Sequence, residues 1–188
     1  MSLALRREPR MRFAEFLNLI RARPDEERWE LLDGEPVLMA PPTGRHQQIV
    51  MNLGRHLAEL AERRGCRALP GLGLHNDAVD DFAPVPDLVV RCGPLLQDGY
   101  ARDPILVAEV LSPSTMHEDR GRKAAFYQSL QTLRAFLIVY QDETRVEVWS
   151  RGNGPDWTKR ALGGGDAIDL PDLGGSLPVA SLYAGLHT

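Results

Sequence analysis

The chain has 188 residues, 43% hydrophobic and 26% charged, which is enough apolar material for one core and too little length for two. A formal net charge of -4 weighs against a protein that coats nucleic acid by bulk electrostatics, although a local basic surface stays possible. No stretch approaches the roughly 18 apolar residues of a membrane span, and the opening MSLALRREPRMRF lacks the apolar block of a secretory signal. The expectation is one domain over residues 1–188, cytoplasmic, with no membrane partner.

The apolar residues Phe13, Phe16, Leu17 and Ile20 recur at spacings of three and four, so a short helix is expected that ends near Pro24 and packs on the domain edge. WELLDGEPVLMAPP reads as two short strands around Asp33-Gly34, the second stopped by Pro41-Pro42. A long helix follows from about His46 to Arg64. Ile49, Val50, Leu53, Leu57, Leu60 and Ala61 form its apolar stripe, Thr43 or Gly44 lies near its start, and Gly65 suits its C-terminal cap.

CRALPGLGLHND is expected to form one extended, glycine-bent strand, PDLVVRCG a second, and PILVAEVLSP a third whose continuous apolar run predicts a buried position. These three should be neighbours. HEDRGRKAAFYQSLQ has a helical pattern, RAFLIVYQ gives another buried strand, and a hairpin through Asp142-Glu143 leads into RVEVWSR. Residues 151–165, with RGNGPDW and GGG, read as a flexible turn region that leaves Lys159 in a loop. The tail DAIDLPDLGGSLPVASLY should add an edge strand and a short closing helix. Cys66 and Cys92 have no CxxC partner and no histidine at finger spacing, so both are expected to be reduced thiols.

Two carboxylates stand out. Asp87 follows Pro86 at the mouth of an apolar strand. Glu109 sits between Ala108 and Val110 inside another, where a charge must reach an open edge or find a partner. At the ends of neighbouring strands the pair would bind a hard divalent cation, Mg²⁺ being the natural choice for oxygen ligands and a phosphate substrate. The alternative is that Asp87 caps a turn and Glu109 pairs with an arginine.

Nearly all the positive charge is arginine, the only lysines being Lys123 and Lys159. A lysine in such a chain can mark a place that needs a compact ammonium able to lose its proton. Asp119, Lys123 and Tyr127, at i, i+4 and i+8, share one helix face. They form either an ordinary exposed pair with Tyr127 half in the core, or a stripe that the short connection brings back over the end of the Glu109 strand.

The run WELLDGE at 29–35, His46-Gln47, Pro86-Asp87, AEVLSPST at 108–115, and Asp119, Lys123 and Tyr127 together resemble the Uma-two family of putative endonucleases, part of the PD-(D/E)xK nuclease superfamily. The likeness covers roughly residues 12–183 and is most specific in AEVLSPST followed by DRGRKAAFY. It implies an α/β, restriction-endonuclease-like mixed central sheet flanked by helices, with a core at about 29–150 and an added N-terminal hairpin.

The resemblance also implies catalytic roles for Asp87, Glu109, Lys123 and Glu30. Asp87, Glu109 and the carbonyl of Val110 would hold Mg²⁺ or Mn²⁺, and His46, Gln47, Arg120 and Tyr127 would meet the substrate. In many relatives the lysine sits two residues after the glutamate on the same strand. Here that position is Leu111, and Lys123 would replace it from the next helix. The sequence departs from the family in TLRAFLIVY, which lacks the usual aromatic and acidic start, and in Trp29, where tyrosine is typical.

The expected function is metal-dependent hydrolysis of a nucleic-acid phosphodiester, with DNA as partner, a homodimer as assembly, and Arg45, Arg120 and Arg122 gripping the backbone. The alternatives are a nuclease-fold interaction module without turnover, and a hydrolase of small phosphoesters.

Overall fold

A computed structural model describes residues 10–97, 99–111, 121–152 and 154–186. Helix α1 (Phe13–Arg21) turns Phe13 and Phe16 inward, where they meet Leu31, Ala83 and Tyr100 in a small cluster of their own. Strands β1 (Trp29–Leu32) and β2 (Glu35–Leu38) form the expected hairpin. Asp33 and Gly34 both have positive φ, 52° and 80°, the conformation a tight two-residue hairpin turn demands. A side chain at 34 would also strike Arg10, since a Cβ built there lies 2.5 Å from that residue's own Cβ.

Helix α2 (Gly44–Glu62) begins where Thr43 accepts a hydrogen bond from the His46 amide at 3.1 Å, an N-cap that satisfies one of the free donors of the first turn. It buries Ile49, Leu53 and Leu57 completely, each worth roughly 1.5–3 kcal/mol as area removed from water.

The centre is a six-stranded mixed sheet of β3 (Cys66–Pro70), β5 (Leu88–Cys92), β7 (Pro104–Leu111), β8 (Ala135–Tyr140), β9 (Arg145–Arg151) and β10 (Trp157–Gly163), in the order β10-β9-β8-β7-β5-β3. The three middle segments CRALP, LVVRC and PILVAEVL are neighbours as expected. Strand β7 pairs antiparallel with β5 and parallel with β8. The chain between β7 and β8 therefore has to cross over, and it carries helix α3 (Arg122–Ser129).

Along β7 the side chains alternate. Leu106, Ala108 and Val110 face the core beneath α2, while Val107 and Leu111 face a second core that contains Tyr127 and Phe126 of α3. The sheet thus lies between two layers.

Four expectations need correction. CRALPGLGLHND is two strands in different sheets, because Gly71 (φ 62°) turns the chain after β3 and β4 (Gly73–Leu74) pairs with β6 (Tyr100–Ala101). Residues 157–163 are the edge strand β10, with Lys159 opposite Trp149 and its Nζ 2.9 Å from buried Glu147, so Lys159 is not in a loop. Among the described residues the tail adds no edge to the main sheet: β11 (Ala167–Leu170) and β12 (Gly175–Pro178) pair with each other, before the closing helix α4 (Val179–Leu182). Cys66 and Cys92 are directly opposed on β3 and β5 and form a disulfide. Among the described residues no helix is long and apolar enough to cross a membrane.

Candidate active site

The β5–β7 register pairs Leu88 with Ala108, so the next step brings Asp87, just before β5 begins, opposite Glu109, two residues before β7 ends. The contacts agree. The Asp87 amide lies 3.4 Å from Glu109 Oε2, and the Val110 amide donates to Asp87 Oδ2 at 2.7 Å. The two carboxylates therefore sit side by side because adjacent strands carry them, each held by backbone of the other strand. Glu109 is 3% exposed, whereas the Asp87 side chain keeps 20% of its surface open.

Lys123 and Tyr127 arrive from α3, one helical turn apart. The Tyr127 hydroxyl donates to Glu109 Oε1 at 2.5 Å, and the Lys123 ammonium lies 3.6 Å from the same oxygen. On its other side the ammonium is 2.8 Å from Glu30 Oε1 on β1, an oxygen that also accepts from the Val85 amide at 2.7 Å. Lys123 is 3% exposed and Tyr127 fully buried, so the helix presents them inward and Lys123 is far from an ordinary surface lysine. An ordinary exposed pair is therefore excluded, and Lys123 and Tyr127 lie as a stripe over Glu109. Asp119 and Arg120 lie outside the described residues.

His46 closes the site from the α2 side. Its Nε2 is 2.9 Å from Asp87 Oδ1, and burial holds the imidazole below its usual value of 6.5, so the ring is neutral at pH 7. A carboxylate only accepts, which puts the ring proton on Nε2. His46 thus contacts an acid of the site, a role that a helix-start residue does not announce in sequence. Glu30, Asp87, Glu109, Lys123, Tyr127 and His46 are brought together.

Other residues are not part of that cluster. Gln47 points outward, one residue past His46 and exposed. Arg45 is held by the carbonyl of Gln141, which accepts from its Nε at 2.6 Å. Arg122 pairs with Asp33 in the β1–β2 turn and covers the ring of Phe82 at 5.5 Å. Gln141, which sequence reading passed over, is 6% exposed. Its Nε2 donates to the Leu111 carbonyl at 2.5 Å and its Oε1 accepts from the Thr43 hydroxyl at 3.2 Å. A polar residue closing the apolar run FLIVY was the one available signal.

The donor chemistry fits a hard divalent cation: two adjacent carboxylates supply oxygen, with no thiolate or imidazole nitrogen required. Among the described residues no three side chains of the histidine, cysteine, aspartate and glutamate types form a ready cage. That matches the habit of Mg²⁺, which keeps several waters and is held by one or two carboxylates together with substrate oxygens.

Comparison with known proteins agrees with this architecture. The model of the Uma2 family, described as "Putative restriction endonuclease", matches residues 13–180. Two proteins of Synechocystis, both described only as uncharacterized, are related in sequence. The protein slr1290 is 32% identical over 103 residues, 54% of this chain and 54% of its own, so the match spans about half the length of that relative. The protein sll1609 is 27% identical over 145 residues, 75% of this chain and 82% of its own. A crystal structure from Anabaena variabilis, described as a putative nuclease belonging to DUF820, shares the fold with a TM-score of 0.69 at 18% identity, covering 93% of this chain and 98% of that one.

Proposed function

Because the chain belongs to the Uma2 family of putative restriction endonucleases, we propose that it is a metal-dependent endonuclease that hydrolyses phosphodiester bonds of DNA. The observation that carries the reading is the meeting of Asp87 and Glu109 at adjacent strand ends, with the Lys123 ammonium 3.6 Å from Glu109 Oε1. That is two anions and one cation within reach of a common point, assembled from three separate elements.

Asp87 and Glu109, with the carbonyl of Val110 and with Glu30 at the next remove, would hold Mg²⁺ or Mn²⁺. Such an ion, when bound, polarises the phosphate and makes a bound water acidic enough to attack. The remaining work belongs to the chain itself. Lys123 stands where its ammonium can orient the attacking water or offset charge that gathers on the phosphate oxygens as the bond to the leaving oxygen breaks. Glu30 and Glu109 hold that ammonium in place from two sides. Tyr127 fixes Glu109 from within the core, and His46 fixes Asp87 from the opposite layer.

The test is a cleavage panel of single- and double-stranded DNA and RNA with Mg²⁺ or Mn²⁺, run with wild type and Lys123→Ala in parallel. Metal-dependent cutting of DNA by wild type, absent from the variant, is the expected result. Intact substrates under saturating binding would end the proposal.

One observation favours a second reading, a homodimeric nuclease-fold module without turnover. Arg45 and Arg122, which would have gripped the nucleic-acid backbone, are committed to Gln141 and Asp33. Tight Mn²⁺ binding lost in Asp87→Asn, with no cleavage by wild type, would select it.

A further inference from the structure

Among the described residues, hydrogen bonds that reach the Asp87 carboxylate close into a circuit. From the Leu111 carbonyl on β7 it passes to Gln141 Nε2 at 2.5 Å, and from Gln141 Oε1 to the Thr43 hydroxyl at 3.2 Å. From Thr43 Oγ1 it passes to the His46 amide at 3.1 Å, and from His46 Nε2 to Asp87 Oδ1 at 2.9 Å. Asp87 Oδ2 then accepts from the Val110 amide at 2.7 Å, one residue from where the circuit began.

Donor and acceptor roles along this path are fixed by chemistry. The Leu111 carbonyl only accepts, so the Gln141 amide must point its nitrogen there and its oxygen at Thr43. The Thr43 hydroxyl must therefore spend its one proton on Gln141, which leaves its lone pairs for the His46 amide. A single orientation of each group satisfies every bond. Reversing the Gln141 amide would set its oxygen against the Leu111 carbonyl, at the cost of the one buried hydrogen bond of the path.

We infer that Thr43 and Gln141 are positioning residues for the carboxylate of Asp87. They hold the first turn of α2 over the ends of β7 and β8, so that the imidazole of His46 meets Asp87 Oδ1 and fixes the plane of the carboxylate. The inference rests on the assignment of Asp87 to metal binding, but its geometric half stands without it. Outer partners of this kind typically govern metal affinity by roughly 10–100-fold, and here the partner is two residues removed from the ligand.

The experiment measures two things on Thr43→Val, Thr43→Ser, Thr43→Asp and Gln141→Leu. The first is the ¹⁵N signature of the His46 ring in the metal-free protein. The second is Mn²⁺ affinity by calorimetry. Wild type and Thr43→Ser should show the Nε2-protonated tautomer with a slowly exchanging ring proton. Thr43→Val and Gln141→Leu should lose that protection and bind Mn²⁺ roughly 10-fold more weakly.

Thr43→Asp separates the helix cap from the circuit, because a carboxylate still accepts from the His46 amide yet has no proton for Gln141. It should fold, and its affinity should fall although it adds a negative charge. Unchanged ring protection in both Thr43→Val and Thr43→Asp would overturn the inference. A wild type that binds no Mn²⁺ would instead sink the metal assignment, and the circuit would then stand if the ring protection seen in wild type is lost in Thr43→Val and Gln141→Leu.

Discussion

The hydroxyl of Tyr127 donates to Glu109 Oε1 at 2.5 Å from a position with no solvent exposure. A phenol so placed cannot meet a polymer in solution. It acts on the acid, satisfying one oxygen from below and leaving the direction of the carboxylate set by the core.

Tyr127→Phe should therefore lower stability by roughly 1.5–3 kcal/mol, the usual range for a hydrogen bond to a charged group. Urea unfolding followed by fluorescence measures it. A variant as stable as wild type would show that the hydroxyl contributes nothing net.

Lys123→Met keeps the length of the side chain and removes the charge between Glu30 and Glu109. Loss of one partner from a buried ion pair typically costs about 3–5 kcal/mol, and adding Glu30→Gln should recover part of it. Lys123→Arg should not restore cleavage, because a planar guanidinium does not fit a slot bounded by carboxylates on two sides. Denaturation of the three variants, with cleavage assayed for Lys123→Arg, tests both statements.

The Cys66–Cys92 disulfide closes a loop with a sequence separation of 26. On the chain-entropy estimate such a loop is worth about 3.5 kcal/mol at room temperature. Wild type in reductant should match Cys92→Ser in urea midpoint, and both should fall below oxidised wild type. Equal midpoints with and without reductant would contradict this. The bond also ties the edge strand β3 to β5 at the end remote from Asp87.

His75 is 4% exposed and stacks on Phe13 at 3.8 Å. Burial first, and Arg102 second, hold its pKa below 6.5, while Asp77 and Asp80 pull the other way. A depressed folded value means that the unfolded chain binds the proton more readily. Stability from this residue is present in full above about pH 6.5 and is lost as pH falls through the folded value. His46 shifts in the same direction, so His75→Phe should flatten only part of the slope below pH 6.5. Thermal unfolding across pH 5–8 reads the difference, and an unchanged slope would rule out the assignment to His75.

Glu109 was legible in sequence because a carboxylate inside PILVAEVL contradicts its surroundings, and the contradiction marks both the strand and the site. Asp87 was legible by its place at the mouth of LVVRC. Glu30 was legible only through family likeness, since WELL reads equally as a half-solvated strand.

The contact between His46 and Asp87 joins positions 41 residues apart, and no periodicity reports it. Gln141 depends on where α2 begins relative to the end of β8, which only the packed layers decide. The disulfide needed the β3–β5 register, unknown until the strands pair. Strand β10 escaped because an edge strand with one buried residue in WTKRALG shows no two-residue alternation.

Asp87 and Glu109 lie at the rim of the sheet, and they are steadied by different layers. His46 comes from the helix above one core, Tyr127 and Lys123 from the helix above the other. The rim works like the pivot of pliers. A loosening in either hydrophobic layer, however far from the acids, reaches the gap between them, and an ion seated there would in return draw both layers tighter at once.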